Sequence, residues 1–403
     1  MYPLRVFHIL FNTVERLPPL LHELESVHEE RIAIDVFQLP ERETPRIREG
    51  NASVTFHRAR LRFRSLLRSQ RLLSKLIRFI EWAVAVFLAV LRTPTHVIVA
   101  HDLPSLLPAW AAGRLRRRPI VYHAHELWGE SNGLTAPFPT LWRMLDRFLC
   151  PRVDAIVVPE KNRAGIYRNE YGASGDPLVI PNYPPYRQPV SSTFLSDFVK
   201  SKGASAEIIV LYQGLFDPSR ELENLVSAMV HVEPRACLIL MGSGTPAFVR
   251  TLEQRIRETS LADRVFLHPA VPYDRLHAYT CSADIGVLLY RNNCRNNYYC
   301  APNKLYEYLQ AGLAVVASDF PGLVDIVEGH ELGRTVDGGD PASIGRAIQE
   351  LLDGQVRRAI RTRSLALAES EFRWECVAGG LFDLYHRLIT GRWNDKRGGS
   401  SCR

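Results

Sequence analysis

The feature that most constrains this chain is a regular alternation of short apolar runs with longer amphipathic stretches, which continues through most of its 403 residues. Apolar runs of roughly four to eight residues predict strands, and the amphipathic stretches between them predict helices. Strands that alternate with helices form parallel sheets with helices on both faces. The sequence therefore predicts an α/β protein.

The predicted strands form two sets of six. The first set is 4–11, 32–39, 96–100, 120–123, 155–158 and 178–180, and the second is 208–213, 237–241, 265–268, 285–289, 313–317 and 333–336. Six parallel strands on each side suggest two Rossmann-like domains. Pro, Tyr and Ser are concentrated in 181–192, as in a linker. We therefore expect an N-terminal domain over 1–190 and a C-terminal domain over 191–403, with a last helix at about 373–391 that crosses back onto the first domain.

The positive charge of the chain is concentrated in one segment. Residues 57–78 hold eight Lys or Arg and no acidic residue, whereas the rest of the chain has 42 basic and 43 acidic residues. Basic residues recur there at spacings of three and four: Arg60, Arg64, Arg68, Arg71, Lys75 and Arg78. This pattern predicts a basic amphipathic helix over 57–92, which either covers a sheet or docks on anionic lipid. Nucleic acid is not expected as a partner, because no nucleic-acid motif accompanies the stripe.

The sequence predicts no membrane-spanning helix. The longest uninterrupted apolar run, 82–91, has ten residues, about half of what a bilayer requires. The first apolar run has no basic region before it, so it is interpreted as a strand rather than a signal peptide. We therefore expect a cytoplasmic protein that lies on the inner face of the membrane.

Polar residues directly after the predicted strands are the candidate ligand contacts, because open parallel sheets bind ligands beyond the carboxyl ends of their strands. In the first domain they are Asn12, His101, Asp102, His123, His125 and Glu126. In the second domain they are residues 214–220, Gly242, Ser243, Gly244, His268, Ser318 and Asp319. Such a set, facing a cleft between two domains, favours a polar, phosphorylated ligand.

The segment APNKLYEYLQAGLAVVASDFPG, residues 301–322, carries the most specific signal. Pro302 suits the start of a helix and Gly312 its end, so Lys304 and Glu307 share one face of a short helix. The backbone N–H groups at the start of this helix, together with Lys304, suit a diphosphate, and Glu307 suits a ribose diol. A surface ion pair remains the alternative for these two residues. Gly242, Ser243 and Gly244 would by themselves indicate only a turn.

Several motifs together resemble family 4 of the retaining glycosyltransferases with the GT-B fold. PNKLYEYLQAGLAVVASD is similar to the family signature, and four further stretches agree in order: HDLPSLLPAWAAGRLRRRPIVYHAHELWGE, VIPNYPP, YQGLFDPSRELENLVSAM and LILMGSG. FRWECVAGGLFDLYHRLI is similar to the closing helix of the family. The resemblance implies two domains that face each other across a cleft.

The resemblance also implies a role for individual residues. Arg220 and Lys304 match the cations that bind the donor diphosphate, and Glu307 matches the glutamate that binds ribose. His125 matches the histidine near the transferred sugar. Gly214 lies in the loop under the donor, and Gly242, Ser243 and Gly244 are further donor-binding candidates. The acceptor would be held by the N-terminal domain, where Asn12, His101 and Asp102 are the candidates.

Three positions differ from the family pattern. Tyr299 occupies the position of a glutamate that often contacts the sugar, and Glu221 replaces the glycine that usually follows the basic residue matched by Arg220. The loop FNTVERLPPL lacks the usual glycine pair. These differences predict altered contacts with the sugar, the phosphates and the acceptor.

The resemblance implies transfer of a sugar, with retention, from a nucleoside diphosphate sugar to a glycan or lipid-linked acceptor. Arg220 and Lys304 would stabilise the leaving group, and His125 and Glu126 complete the catalytic candidates. Same-face attack is favoured over a covalent intermediate on Glu126. No Asp-x-Asp motif is present, so we expect no metal site and no cofactor. Two alternatives remain open: a sugar-nucleotide epimerase of the same fold, and a non-catalytic nucleotide-sugar-binding subunit of a polysaccharide assembly complex.

Overall fold

The computed structural model describes residues 4–14, 17–27, 32–39, 53–58, 72–131 and 138–391. The chain divides into two compact units between Asn182 and Tyr183, eight residues before the predicted boundary at 190. We call them the N-terminal and the C-terminal unit. Each unit is a parallel sheet with helices, so the α/β class and the two Rossmann-like domains are confirmed.

The N-terminal unit contains a seven-stranded parallel sheet with the order β3-β2-β1-β4-β5-β6-β7. Its strands are β1 (Leu4–Leu10), β2 (Ile32–Gln38), β3 (Val54–Arg58), β4 (Val97–His101), β5 (Ile120–His123), β6 (Ala155–Val158) and β7 (Leu178–Val179). Its helices are α1 (Pro18–Ser26), α2 (Leu72–Arg92), α3 (Asp102–Arg116), α4 (Phe138–Leu149) and α5 (Lys161–Asn169).

The C-terminal unit contains a six-stranded parallel sheet with the order β10-β9-β8-β11-β12-β13. Its strands are β8 (Ile208–Phe216), β9 (Ala236–Gly244), β10 (Val265–Pro269), β11 (Ile285–Leu288), β12 (Ala314–Ser318) and β13 (Gly333–Val336). The helices that follow Tyr183 in the chain are α6 (Phe194–Ser201), α7 (Leu222–Ala228), α8 (Pro246–Glu258), α9 (Tyr273–Thr280), α10 (Arg295–Tyr298), α11 (Asn303–Ala311), α12 (Pro321–Val327), α13 (Pro341–Glu350), α14 (Gly354–Ser370) and α15 (Trp374–Thr390).

The core of the C-terminal unit lies on both faces of its sheet. Alternate residues of β8 belong to two separate apolar clusters: Ile208, Val210 and Tyr212 to one, and Ile209 and Leu211 to the other. A strand covered on both faces has no position that must be polar, which explains the continuous apolar runs in the sequence.

One prediction about the N-terminal unit is wrong. The helix predicted over 57–92 cannot begin at His57, because His57 and Arg58 end β3, which pairs in parallel with β2. Val54, Thr55 and Phe56 continue the extended backbone, and pairing with β2 outweighs the helical spacing of the basic residues. α2 begins at Leu72, and Arg60, Arg64, Arg68 and Arg71 lie outside the described residues.

The last helix belongs mostly to the N-terminal unit, which its residues join from Val377 onward. Tyr385 on α15 is fully buried, and its hydroxyl donates a hydrogen bond to Glu23 Oε1 on α1 over 2.8 Å. This is the return crossing that the sequence predicted. Among the described residues, no helix combines the length and the apolar character needed to cross a bilayer.

Candidate functional site

The first cluster of predicted site residues lies in the C-terminal unit, around the start of α11. The helix follows Pro302 and ends at Gly312, whose φ of 76° is in the left-handed region that favours glycine. These limits agree with the predicted helix. Lys304 stands in the first turn of α11, and Glu307 follows one turn later.

Two cations stand over two tyrosine rings in this cluster. Lys304 Nζ lies 4.2 Å from the ring centre of Tyr212 and 5.8 Å from that of Tyr290, and Arg220 Cζ lies 4.2 Å from the ring centre of Tyr290. Tyrosine faces stabilise cations, so the rings hold the two positive groups beside one another. Burial, and then the charge of Arg220, lower the pKa of Lys304 to about 7. Such a pair favours an anionic ligand.

Glu307 takes part in a hydrogen-bonded chain of side chains. Gln213 Nε2 donates to Glu307 Oε2 over 2.6 Å, and Thr280 Oγ1 donates to Gln213 Oε1 over 2.8 Å. Burial raises the pKa of Glu307. A pocket beside Glu307 is lined by residues that include Arg187 and Tyr273, with Arg187 Cζ 5.5 Å from the Tyr273 ring centre. Glu307 therefore faces a pocket with a cation and an aromatic ring.

The predicted glycine-rich segment is the end of a strand rather than a turn. Gly242, Ser243 and Gly244 are the last residues of β9 and pair with Gly214, Leu215 and Phe216 of β8. A Cβ atom at Gly242 would lie 1.8 Å from Gly214 O, and one at Gly244 would lie 2.4 Å from Phe216 O. Close packing of the two strands therefore accounts for both glycines. Gly214, with a φ of 132°, adjoins Lys304.

The two substituted family positions have partners within the C-terminal unit. Glu221 has a φ of 50° and forms an ion pair with Arg291, whose Nε lies 2.8 Å from Glu221 Oε1. This ion pair connects the segment after β11, which contains Arg291, with the turn after β8, which contains Arg220. Tyr299 packs against Tyr298, with ring centres 5.0 Å apart, and Arg295 Cζ lies 6.0 Å from the Tyr299 ring centre.

The second cluster lies in the N-terminal unit and contains four buried histidines. They come from neighbouring strands or the loop that follows: His8 from β1, His101 from the end of β4, His123 from the end of β5, and His125 two residues later. Their exposed fractions are 0%, 2%, 3% and 8% in that order. The sheet order places β4 between β1 and β5, which brings the four rings together.

Hydrogen bonds connect three of these rings in series. His8 Nδ1 lies 2.9 Å from His101 Nε2, and His101 Nδ1 lies 2.9 Å from His125 Nε2. His8 Nε2 lies 3.4 Å from Glu23 Oε1. Burial lowers the pKa of His8 and His123 to about 3 and places those of His101 and His125 well below 6.5. All four rings are therefore neutral at pH 7.

Asp102 shapes the loop that carries His125. It has a φ of 61°, and its Oδ1 accepts hydrogen bonds from the backbone N–H groups of His125 and Glu126 over 2.9 and 3.1 Å. Burial raises the pKa of Asp102 to about 7. The buried Arg163 donates to the carbonyl of His125. Two side chains thus fix the backbone of His125.

The remaining N-terminal candidates differ in exposure. The side chain of Glu126 is 51% exposed and lies 4.0 Å from Arg163 Nη2. Asn12 is exposed, and its carbonyl accepts a hydrogen bond from Leu39. His101 is buried and has both ring nitrogens in hydrogen bonds. That Asn12, His101 and Asp102 contact an acceptor stays a prediction.

One group in the described part of the chain has ligand atoms close enough for a metal ion: His101, His123 and His125, with candidate atoms within 4.8 Å of one another. The rings of His123 and His125 are stacked, 4.1 Å apart at 25°, and those of His101 and His125 are stacked at 11°. Histidines on a tetrahedral ion direct their nitrogens at one point from different directions. The stacked rings suit hydrogen bonding better than metal binding.

The structure thus brings the predicted residues together in two groups, one in each unit: Gly214, Arg220, Lys304 and Glu307 in the C-terminal unit, and His101, Asp102, His125 and Glu126 in the N-terminal unit. Sequence reasoning missed Tyr212, Tyr290, His8, Glu23 and Tyr385. Tyr290 follows the apolar run of β11 and was detectable by the strand-end rule. His8 and Tyr212 lie inside strands, where no local signal separates them from core residues.

Comparisons with known proteins agree with this organisation. Residues 20–183 match the family model described as "Glycosyl transferase 4-like domain", and residues 207–354 match the model described as "Glycosyl transferases group 1". The D-inositol 3-phosphate glycosyltransferase of Xylanimonas cellulosilytica is 26% identical over 323 residues, which are 75% of this chain and 76% of that protein.

Solved structures share the fold over nearly the whole chain. The sucrose-phosphate synthase of Thermosynechococcus elongatus has a TM-score of 0.77 at 20% identity, with 96% of this chain and 100% of that chain covered. HepE of Anabaena, in complex with UDP and glucose, has a TM-score of 0.73 at 15% identity, with 95% and 99% covered. The fold and the two matched domains define a glycosyltransferase of the GT-B fold. Within that class, the chain belongs to the family 4 type.

Proposed function

We propose that this glycosyltransferase takes its sugar from a nucleoside diphosphate sugar and transfers it with retention to a glycan or lipid-linked acceptor. The observation that carries the proposal is a pair of cations, Lys304 at the start of α11 and Arg220 in the turn after β8, which lie beside Tyr212 and Tyr290. HepE, which has the same fold, was solved with UDP and glucose.

The cations would act on the leaving group. As the bond from the sugar to the diphosphate breaks, negative charge grows on the diphosphate, and preorganised positive groups stabilise it. Removing one such group typically costs about 3 kcal/mol of transition-state stabilisation. Lys304 and Arg220 are held by aromatic rings, so little reorganisation is needed. We propose that they make a divalent metal ion unnecessary.

Glu307 and its pocket would hold the nucleoside. The carboxyl group of Glu307 keeps an acceptor atom beside the Gln213 hydrogen bond, which suits a ribose diol. Gly214 leaves room beside Lys304 for the diphosphate. We propose that Gly242, Ser243 and Gly244 contribute mainly through the close packing of β9 on β8.

His125 would contact the transferred sugar, as the family resemblance implies. Its ring is 8% exposed, and its Nδ1 is a buried atom without a hydrogen-bond partner among the described residues. Asp102 and Arg163 hold its backbone in place. We propose same-face attack by the acceptor, with Glu126 contacting the acceptor rather than forming a covalent intermediate.

The N-terminal unit would also contact the membrane. The side chains of Leu73, Leu76, Ile80, Val84 and Leu88, spaced by three and four residues along α2, are between 38% and 68% exposed. An apolar stripe of this kind, next to the basic segment 57–78, suits an anionic bilayer surface. We propose that the enzyme is cytoplasmic and binds the inner face of the membrane through this region.

The first experiment is a thermal-shift screen of UDP-, GDP-, ADP- and dTDP-sugars. A ligand at 100 times its dissociation constant stabilises the folded state by about 2.7 kcal/mol. We expect one class of donor to raise the melting temperature of the wild type and not that of Lys304→Ala. Lys200→Ala, an exposed lysine of the same unit, is the matched control. A donor shift that survives in Lys304→Ala contradicts the proposal.

The second experiment is a transfer assay with lipid extracts and the donor that binds. We expect a product of retained anomeric configuration and an unchanged rate in the presence of EDTA. Release of an altered sugar nucleotide without any acceptor would favour the epimerase. Donor binding without transfer to any extract would favour the accessory subunit.

A further inference from the structure

The exposed apolar side chains of the protein are concentrated on three helices of the N-terminal unit. Of the fifteen large apolar residues that are exposed in the described part of the chain, ten belong to α2, α3 or α4. Five of these ten form the apolar stripe of α2. The other five form a second group, which we call the α3–α4 patch: Leu107, Leu115, Leu141, Met144 and Phe148. We propose that the α3–α4 patch is a second membrane-binding surface, which binds an anionic bilayer together with the α2 stripe.

The topology places the three helices on the same face of the sheet. In the chain, α2 lies between β3 and β4, α3 between β4 and β5, and α4 between β5 and β6, so all three connections run in one direction across the sheet. Crossovers between parallel strands are right-handed, and crossovers that run in one direction therefore lie on one face.

Contacts between the helices join them into one layer. Arg116 on α3 donates hydrogen bonds to the carbonyl groups of Val90 and Thr93 at the end of α2. On the other side of α3, the ring centre of Trp110 lies 5.8 Å from that of Phe148 on α4. The α3–α4 patch and the α2 stripe thus belong to one continuous surface.

The apolar side chains of this surface point away from the sheet. On α4, Asp146 is fully buried, and with about 3.6 residues per turn Leu141, Met144 and Phe148 lie on the opposite side of the helix. On α2, the exposed stripe is likewise opposite the fully buried Trp82. Both rows of apolar side chains therefore lie on the outer side of the layer, where a flat partner can reach them together.

The charges around the α3–α4 patch fit an anionic surface. Five exposed arginines lie on α3, on α4 or in the turns that follow them: Arg114, Arg117, Arg118, Arg147 and Arg152. Arg152 Cζ lies 4.1 Å from the ring centre of Phe148, so a cation adjoins the apolar side chains directly. The acidic residues of the two helices face inward, because Asp146 is buried and Asp102 accepts hydrogen bonds from the backbone of the loop after β5.

The arginines favour lipid over a second copy of this chain. In a two-fold dimer the patch would meet itself, so the arginines of both copies would face each other, and like charges in an interface are unfavourable. At a bilayer, apolar side chains enter the boundary between head groups and acyl chains, while the arginines remain among anionic head groups. This inference rests on the proposed membrane contact of α2 and adds the contact that would orient the sheet along the membrane.

The test is co-sedimentation with vesicles of phosphatidylcholine and phosphatidylglycerol in equal parts, and with vesicles of phosphatidylcholine alone. We expect the wild type to bind the mixed vesicles more tightly. Met144→Glu should lower the partition coefficient about tenfold or more, because it removes an apolar contact and adds a charge that anionic lipid repels. Val230→Glu is the matched control, since Val230 is 58% exposed, against 62% for Met144, but lies in the C-terminal unit. It should bind as the wild type does.

Two double variants separate this inference from the proposed contact of α2. Leu141→Gln/Met144→Gln removes apolar side chains from α4 without a change of charge, and Ile80→Gln/Val84→Gln does the same on α2. All four side chains are exposed, so the melting temperature should stay that of the wild type. We expect each double variant to bind the mixed vesicles less tightly.

Three results would contradict the inference. Loss of vesicle binding in the α2 variant alone would overturn it and leave the proposed contact of α2 standing. A wild type that binds neither kind of vesicle would overturn both, but not the donor-binding proposal, which Lys304→Ala tests. A wild-type dimer in light scattering that Met144→Glu converts to a monomer would show that a second copy covers the patch.

Discussion

The two units have the same type of parallel sheet but differ in the charge of their polar clusters: the cluster of the C-terminal unit is positively charged, and that of the N-terminal unit is neutral. In the C-terminal unit, Arg220 and Lys304 stand beside each other over tyrosine rings. In the N-terminal unit, four histidines, which lie in β1, at the ends of β4 and β5 and in the loop after β5, are buried and neutral. The comparison teaches that two sheets of the same type can carry either a positively charged cluster or a neutral polar cluster, depending on the side chains packed there.

The cause of this difference is the ease with which each side chain loses its proton. Arginine remains charged in proteins. Lysine starts from a pKa near 10.4, and burial lowers that of Lys304 only to about 7, so at pH 7 the C-terminal cluster keeps the charge of Arg220 and part of the charge of Lys304. Histidine starts near 6.5, so burial makes it neutral. A charged cluster suits a ligand that carries negative charge, whereas a neutral one suits directed hydrogen bonds to an uncharged sugar.

The strongest test of the comparison is the removal of a cation from the C-terminal cluster. We expect Arg220→Met to lower kcat about 10²- to 10³-fold, because a preorganised positive group at the leaving diphosphate is lost. Arg220→Lys should recover part of the rate, and Arg334→Met, an exposed arginine of the same unit, should have the wild-type rate. A loss below tenfold in steady-state kinetics would contradict the assignment.

The two clusters should also differ in their response to pH. Lys304 has a pKa of about 7 in the ligand-free protein, and only its ammonium form attracts a diphosphate. The affinity for the donor should therefore fall about tenfold between pH 6 and pH 8, as the ammonium form becomes rare. Titration calorimetry at several pH values measures this.

Two variants sharpen the pH test. Lys304→Arg keeps its charge at all these pH values, so its donor affinity should be nearly constant. His8→Phe should keep the wild-type pH dependence, because the histidines titrate well below this range. A pH dependence that persists in Lys304→Arg would show that another group is responsible.

The tyrosine under the cations should have a smaller effect. Tyr290→Leu removes the ring that lies under Arg220. We expect the donor affinity to fall about threefold, since an exposed or half-exposed cation–π contact contributes about 0.5–1 kcal/mol. Tyr290→Phe keeps the ring face and should bind the donor as the wild type does. Equal losses in both variants would assign the effect to the hydroxyl group instead.

The smallest effect is expected at Glu221. Glu221→Gly relieves a left-handed backbone, worth roughly 1 kcal/mol, but loses the two hydrogen bonds between Arg291 and the buried Glu221 carboxylate, worth roughly 1–2 kcal/mol. The free energy of unfolding in urea should change by less than about 1 kcal/mol. Arg291→Met loses the pair without that relief and should be the less stable variant. A strongly destabilised Glu221→Gly would show that the pair with Arg291 contributes much more than the relieved backbone returns.

Much of the fold was predictable because the signals are local. Fully apolar strands such as β5 and β12, and the helix between Pro302 and Gly312, depend on residues adjacent in sequence. β3 was missed because its pairing with β2 decides its conformation, and the basic spacing that begins within it is helical. An edge strand of this kind is determined by a partner that the local sequence does not reveal.

The candidate site was predictable in part for the same reason. Lys304, Glu307 and Arg220 follow strands and match a family motif, so their positions could be read from the sequence. The hydrogen bonds that connect His8, His101 and His125 could not, because these residues come from β1, β4 and the loop after β5. The connection depends on the register that places His101 opposite both Leu10 and His123.

The discontinuous make-up of the N-terminal unit affects how a nascent chain can mature on the ribosome. The residues up to Asn182 are synthesised first, but Tyr385, the buried partner of Glu23, is added about 200 residues later. At roughly 5–20 residues per second, this delay is about 10–40 s. During that time Glu23 on α1 lacks the hydroxyl group that donates to it in the folded protein, and a chain truncated before Tyr385 would never form this buried hydrogen bond.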